Sequence, residues 1–267
     1  MKLTKTLTAA VLMLSSAAFA LDGREVIQKV LDEKDPSFSQ TQVVMELIEK
    51  NGQKDVRNII EYGRDVNGLK SIVMDFVGPG TSKVKGTRFL LQENEGNKDD
   101  DKFIYLPELK TTRRVSTADG SKSFVGTDAS YDDLSTRDID LDTHELLSEN
   151  EPMNGYNCYK VKSTAKKASD SQYGYKVQWI DREKNIPVYA EMYDKKGKLE
   201  KTLKVEKLEV VKSEDGKNSY NTPMVTLMEN VQTGHKTRLS IMKIVVDKPL
   251  PAGVFTQSFL NTGKIAK

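Results

Sequence analysis

From residue 42 onwards the chain consists of short segments with the two-residue alternation of β-strands, separated by turn sequences. In 69–77, for example, Ile72, Met74 and Phe76 share one face, and a mixed set of polar and apolar residues occupies the other. Spacers such as Asn51-Gly52 are too short for the crossovers that parallel strands need, so neighbouring strands are predicted to be antiparallel. Eleven strands are predicted, at 42–48, 55–62, 69–77, 87–92, 102–106, 156–163, 175–181, 188–194, 199–211, 224–231 and 237–246.

A sheet of this size must curl, and if it does not close, its open concave side must be covered. Two segments are available for this. One is an amphipathic helix predicted at 22–34, with Asp22 as its cap, and the other is the region 116–148. A curled sheet with one apolar face and a removable plug would enclose a cavity for an apolar guest, although the same pattern is compatible with a tightly filled core.

The first twenty residues are typical of a secretory signal peptide. Lys2 and Lys5 precede an apolar run at 7–14, and Ala18-Phe19-Ala20 is a small-x-small cleavage site. The apolar run is shorter than the roughly 20 residues that a membrane span needs. We therefore expect an exported protein, cleaved after Ala20, whose residues 21–267 form one domain. No cysteine lies near the cleavage site, so no lipid anchor is expected.

Composition narrows the functional classes further. Without residues 1–20 the basic and acidic side chains are equal in number, which argues against a nucleic-acid partner. Only His144, His235 and Cys158 are available as the usual groups for catalysis near neutral pH, and neither histidine belongs to a recognisable nucleophile motif. Cys158 cannot form an internal disulfide and is expected to be a small buried hydrophobe. We expect no enzymatic activity and no cofactor.

The acidic region 138–149 imitates a calcium-binding loop. Asp138, Asp140 and Asp142 alternate, and Glu149 falls at the twelfth position. The sixth position, where the sharp turn needs glycine, is Thr143. No metal site is therefore predicted.

The segment 103–134 has the most informative sequence in the chain. An apolar strand with alternating aromatics ends at Pro107, Arg113 and Arg114 follow, and a Gly/Ser/Asp-rich stretch then carries Phe124 and Tyr131 into predicted short covering helices. In its residues and their order this segment resembles the periplasmic outer-membrane lipoprotein-sorting (LolA/LolB-like) superfamily, and especially the uncharacterised branch of that superfamily. Further matching segments follow in the expected order at 85–89, 155–161, 178–181, 186–188, 193–198, 233–237 and 255–260.

The resemblance implies an incomplete antiparallel barrel, lidded by helices, with acyl chains of a lipoprotein or other lipid held inside. The predicted fold class is therefore mainly β (α+β): an incomplete antiparallel β-barrel of about eleven strands with helices plugging the concave face. The implied function is that of a monomeric periplasmic carrier between envelope components. An inner-membrane transporter, such as an exporter of the resistance-nodulation-division (RND) type, or an outer-membrane acceptor would be its partner. The alternative is an adaptor module of an envelope complex that binds no ligand.

Candidate ligand-binding residues follow from the same features. Arg113 and Arg114 are neighbours on a strand, so one can face solvent while the other faces the lid or the cavity mouth. There a guanidinium could donate to lid carbonyls, or to a phosphate or ester head group. Pairing with Glu108 or Asp119 at the surface is the alternative. The remaining candidates, which could line a cavity or belong to a plain core, are Phe76, Phe89, Tyr105, Phe124, Tyr131, Leu134, Trp179 and Phe255.

Overall fold

The computed structural model describes residues 21–78, 83–95 and 98–265. The predicted signal segment, 1–20, lies outside the described residues. No helix in the described ranges is long and apolar enough to cross a membrane.

The described part of the chain forms one antiparallel sheet of 13 strands. The strands are β1 (Phe38–Ile48), β2 (Lys54–Val66), β3 (Leu69–Gly78), β4 (Arg88–Gln92), β5 (Asp101–Leu106), β6 (Thr111–Arg114), β7 (Asp142–Met153), β8 (Tyr156–Ala165), β9 (Tyr175–Asp181), β10 (Pro187–Tyr193), β11 (Leu199–Lys212), β12 (Ser219–Asn230) and β13 (Lys236–Val246). Two α-helices, α1 (Gly23–Leu31) and α2 (Gln257–Thr262), flank the strands within these ranges.

The sheet consists of two meanders that meet at one central pairing. Its order is β6-β5-β4-β3-β2-β1-β13-β12-β11-β10-β9-β8-β7, so β1 pairs with β13 and the edges are β6 and β7. Because β6 and β7 do not pair with each other, the sheet is an open, incomplete barrel, as predicted. All eleven predicted strands are present. The two additional ones are β6, whose sequence Thr-Thr-Arg-Arg has no apolar residue, and β7, which bulges in its pairing with β8.

Each face of the sheet has its own set of apolar side chains. We call the face that contains Val43, Ile59 and Phe76, which are register partners on β1, β2 and β3, the inner face. The outer face carries Val73 and Leu90, which pair across β3 and β4. The two sets belong to separate hydrophobic clusters, as the strand alternation requires.

Helix α1 covers the inner face at the β7 end of the sheet. Asp22 accepts a hydrogen bond from the Glu25 amide at 2.7 Å, and the Glu25 side chain accepts from the Asp22 amide at 3.3 Å. This capping box fixes the start of the helix. Val26 and Ile27 then pack with Tyr159 of β8 and neighbouring apolar residues. The prediction of a capped amphipathic helix that covers the sheet is confirmed.

Helix α2 covers the outer face at the other end of the sheet. Phe259 and Leu260 are buried against Val73 and Leu90. Arg88 of β4 reaches over and donates a hydrogen bond to the Leu260 carbonyl at 2.9 Å. The sequence did not predict this helix, because six residues are too few to display a helical period.

The second cover of the inner face is the segment 115–134, which we call the lid. The predicted cover extended to residue 148, but its last part, from Asp142, belongs to the edge strand β7 and so forms part of the sheet. Tyr131 of the lid packs on Phe89 of β4, and Asp133, two residues later, lies 3.8 Å from the ammonium of Lys201 on β11. These strands are six places apart in the sheet, which would separate them by about 29 Å if the sheet were flat. We infer that the sheet curls around the lid, so the inner face is the concave one.

Candidate functional site

Four of the predicted site residues meet where the lid packs on the sheet: two belong to the lid and two to strands β3 and β4. Phe124 lies with its ring centroid 5.0 Å from that of Phe89 and 6.2 Å from that of Phe76, and Tyr131 lies 5.5 Å from Phe124. All four side chains are buried, and Leu134 is partly buried against the same cluster. Edge-on and tilted contacts of this kind are the preferred packing of aromatic rings. The lid therefore fills this end of the concave face with its own rings.

Beside this aromatic cluster lies a cavity of about 150 Å³ on the inner face. It spans β1, β2 and β3 on one side and β12 and β13 on the other. A cavity of this size holds about six carbon atoms, since a benzene ring fits a comparable engineered cavity. Its lining residues are Thr41, Val43, Met45, Ile59, Glu61, Met74, Pro223, Thr226, Leu239 and Ile241.

Glu61 is the charged side chain in this otherwise apolar or hydroxyl-bearing lining. It follows Ile59 by two residues on β2, so strand alternation points it to the inner face between Thr41 of β1 and Met74 of β3. Burial raises the pKa of Glu61 to about 7. The carboxyl group therefore changes its charge near neutral pH instead of near its ordinary value.

The middle of the lid is fastened to the rim of the sheet by a buried carboxylate. Asp128 is 8% exposed, accepts a hydrogen bond from the Thr237 hydroxyl at 2.7 Å and lies 2.9 Å from Nδ1 of His235. The same Thr237 hydroxyl accepts from the Asp128 amide at 2.9 Å. We call the contacts of Asp128 with His235 and Thr237 the rim latch. They hold the lid to the start of β13.

A buried arginine supports the lid next to this latch. Arg57 of β2 donates to the Val125 carbonyl at 2.6 Å and is held by Asp55 at 2.8–2.9 Å. Val125 has a φ of +50°, a left-handed conformation that costs a β-branched residue about 1–2 kcal/mol. The hydrogen bond from Arg57 therefore stabilises a strained turn. A depression of about 270 Å³ lies beside this turn, and its lining includes charged residues and His235.

The end of the lid is fastened to the opposite half of the sheet by a second carboxylate. Asp133 accepts hydrogen bonds from the Tyr173 hydroxyl and the Ser130 amide, both at 2.9 Å, and lies near Lys176 and Lys201 at 3.7 and 3.8 Å. Burial alone would raise its pKa, but these partners outweigh burial and hold the pKa of Asp133 below its ordinary value. We call this group the far anchor.

The two adjacent arginines of β6 have different partners. Both side chains are exposed. Arg113 is the register partner of Ile104, whose side chain lies on the inner face under the lid, whereas Arg114 is the partner of Phe103 on the outer face and pairs with Asp101 at 2.6 Å. One of the two therefore faces the lid. The contact with a lid carbonyl, which we expected in this region, is made by Arg57.

None of the ten predicted site residues is among the side chains that line this cavity, and three of them belong to clusters away from the lid. Tyr105 and Phe255 belong to the outer-face cluster under the C-terminal segment. Trp179 lies in the cluster of β8–β10 that contains Cys158, where its Nε1 donates to Glu151 at 3.0 Å. Their role in ligand binding stays a prediction that this geometry does not support.

The side chains that the sequence offered for catalysis or metal binding are buried or hydrogen-bonded within the fold. Burial raises the pKa of the Cys158 thiol to about 11, and His144 bonds the Ser163 hydroxyl at 2.8 Å and the Ile139 carbonyl at 3.0 Å. Asp142 is paired with Arg137 at 2.7 Å. Within the described ranges no group of three or more His, Cys, Asp or Glu residues is placed to hold a metal ion.

Sequence reasoning missed Arg57, Glu61, Asp128 and Asp133. A signal existed for Glu61, since it shares the two-residue period of Ile59 and so had to face the same side as an apolar residue. The partners of the other three lie far along the chain and depend on long-range register.

Comparison with known proteins gives a family and three structural relatives. A family model described as "Uncharacterized protein" matches residues 69–262, which is more than half of the chain. No curated protein matches the chain.

Among solved structures, an outer membrane lipoprotein-sorting protein domain from Vibrio parahaemolyticus is 26% identical, with a TM-score of 0.79, over 90% of this chain and 98% of that one. A DUF1329 family protein from Desulfovibrio piger is also 26% identical, with a TM-score of 0.78, over 89% and 97% of the two chains. A LolA superfamily protein from Nitrosomonas europaea is 17% identical, with a TM-score of 0.66, over 90% and 100%; it shares the fold.

Proposed function

Because the chain belongs to the uncharacterised, LolA-like branch of the outer-membrane lipoprotein-sorting superfamily, we propose that it is a periplasmic carrier of acyl chains. It binds the hydrocarbon of a lipoprotein or another lipid on the concave face and passes it between components of the envelope. The proposal takes residues 21–267 as one exported domain that acts as a monomer. A candidate donor is an inner-membrane exporter of the RND type, and an outer-membrane protein is a candidate acceptor.

The observation that carries the proposal is the lid over an apolar concave face. A cavity of about 150 Å³ already lies on this face, and its lining residues Val43, Met45 and Ile59 belong to the same apolar cluster as the rings of Phe124 and Tyr131. Those rings fill part of the face beneath the lid. The closed form has room for about six carbons, which would contribute about 5 kcal/mol at 0.8 kcal/mol per methylene. A longer chain must displace the lid rings, so binding and lid opening are coupled.

The fastening of the lid supports this reading. Polar contacts at the rim latch, at Arg57 and at the far anchor hold the lid, whereas apolar packing covers the face beneath it. Polar contacts can be exchanged for others when a membrane partner docks. Loading and release would then be controlled by the partner and not by the affinity of the cavity alone.

Native mass spectrometry of the protein purified from its own periplasm tests the proposal. We expect a bound species with the mass of a lipid or lipidated peptide, and uptake of a fluorescent fatty acyl probe by the delipidated protein. Recovery of ligand-free protein only, together with no probe uptake, would contradict the proposal.

The packed aromatic cluster favours one second candidate, an adaptor module that binds no ligand. In that case the lid rings are a permanent core, and the open edges β6 and β7 serve as docking strands for an envelope protein. Cross-linking followed by pull-down would then recover a stable partner, while the acyl probe would not bind.

A further inference from the structure

The cavity on the inner face contains an acidic side chain that the carrier function does not require. Thr41, Glu61 and Met74 are register partners across β1, β2 and β3, and all three line the cavity. The other lining residues are apolar or carry a hydroxyl group, so Glu61 provides the charge of this cavity. A cavity that bound only hydrocarbon would be expected to have an apolar residue, such as methionine or leucine, at this position of its lining.

Among the residues that the structure describes, no cation or hydrogen-bond donor pairs with the Glu61 carboxyl group. Its pKa is raised by burial, with no contribution from a cation or a hydrogen-bond donor. The two buried carboxylates of the lid are different, because Asp128 is bonded to Thr237 and His235, and Asp133 to Tyr173 and Ser130. Buried carboxyl groups are normally satisfied in this second way. Glu61 is half-buried and faces the cavity without such a partner, so its carboxyl group is available to pair with a ligand there.

We propose that Glu61 is a specificity-determining residue of the cavity. It selects apolar ligands that carry a hydrogen-bond donor beside the hydrocarbon, an ammonium group most strongly, and it disfavours ligands with a carboxylate or phosphate at that position. A donor supplies the missing partner of the carboxyl group, and the bond is charge-assisted when the donor is a cation. An anion in the same place adds a second uncompensated charge of like sign. The inference rests on the proposed function, since it assigns the ligand class of the same cavity.

Three amphiphiles of equal chain length test this inference: dodecylamine, dodecanol and dodecanoate. Each would be kept below the concentration at which it forms micelles and would compete with a fluorescent acyl probe at neutral pH. We expect the amine to displace the probe at least about tenfold more effectively than the carboxylate, with the alcohol between them.

Two substitutions identify the group responsible. In Glu61→Gln and Glu61→Leu we expect the preference for the amine to fall to within about threefold of the carboxylate, while the acyl probe still binds. The matched control is Glu46→Gln on β1. Glu46 lies on the outer face, is paired with Lys54 at 2.8 Å, and should leave the preference unchanged when replaced.

The outcomes separate the two proposals. Equal binding of all three amphiphiles by the unmodified protein, or an amine preference that survives in both Glu61 variants, would overturn the inference and leave the carrier function intact. Failure of every amphiphile and of the acyl probe to bind would overturn the carrier function and the inference together.

Discussion

Phe124 of the lid packs edge-on against Phe89 of the sheet, with ring centroids 5.0 Å apart and an interplanar angle of 62°. Both side chains are almost completely buried. A cover that places an aromatic ring on the concave face occupies volume that a long hydrocarbon chain would need. The carrier function therefore requires that Phe124 and the chain compete for the same space.

Truncation of the lid ring should reveal this competition. Phe124→Ala removes the ring and enlarges the cavity, so we expect acyl probe affinity to rise at least about fivefold. The free energy of unfolding should fall by about 3–5 kcal/mol because a buried aromatic side chain is lost. Fluorescence titration and urea denaturation measure the two quantities. An affinity that is unchanged or weaker would show that ring and ligand do not share a site.

The rim latch should control local opening of the lid. Asp128→Asn keeps the shape of the side chain but removes its charge, which weakens its bonds to Thr237 and His235. We expect amides within 115–134 to exchange with solvent at least about tenfold faster, while amides of β1 and β2 keep their protection. The control is Asp119→Asn, whose partner Lys122 is exposed, and it should leave exchange within about twofold. Equal exchange in both variants would contradict the claim that the rim latch controls opening of the lid.

Acid should release the far anchor. The folded-state pKa of Asp133 lies below its unfolded value, so the carboxylate stabilises the closed lid above about pH 4 and loses that contribution as the pH falls through the folded pKa. We expect the protection factors of the amides at 130–134, which correct for the slower intrinsic exchange in acid, to fall below about pH 4. In Asp133→Asn the lid should be looser at neutral pH and should lack this acid transition. An identical pH profile in the two proteins would contradict the assignment.

Glu61 should make the protein less stable at neutral and higher pH than in mildly acidic solution. Its folded-state pKa of about 7 lies above the ordinary value of 4.5, so the folded protein binds the proton more tightly than the unfolded chain does. Stability is therefore lost as the pH rises from about 4.5 to about 7. Glu61 is partly exposed to the cavity, which reduces the effect, and we expect about 1–3 kcal/mol. Urea denaturation of Glu61→Gln should show a gain of that size at pH 8 and almost none at pH 4. A gain of the same size at both values would refute the proposed cause.

The strand pattern could be predicted because alternation is a local property. Ile72, Met74 and Phe76 had to share a face, and they do so in the structure. Alternation does not say which face the lid covers. Tyr105 and Trp179 were therefore as plausible as Phe89 in the sequence, yet they lie in clusters away from the lid.

Contacts of the lid depended on pairings that no local pattern reveals. Arg57 reaches the carbonyl of Val125, 68 residues away, and Asp128 reaches Thr237, 109 residues away. These distances along the chain are set by the central pairing of β1 with β13 and by the curl of the sheet. Arg113 was therefore considered for a contact that Arg57 makes.

Quenching of tryptophan fluorescence by a brominated acyl chain tests the central claim most directly. Trp179, the single tryptophan, lies away from the lid and serves as an internal reference. A second protein would carry Phe124→Trp together with Trp179→Phe, which places the reporter under the lid. The account predicts strong, saturable quenching in the second protein and little in the unmodified one. Quenching in neither protein, or equal quenching in both, would contradict the binding of acyl chains on the concave face.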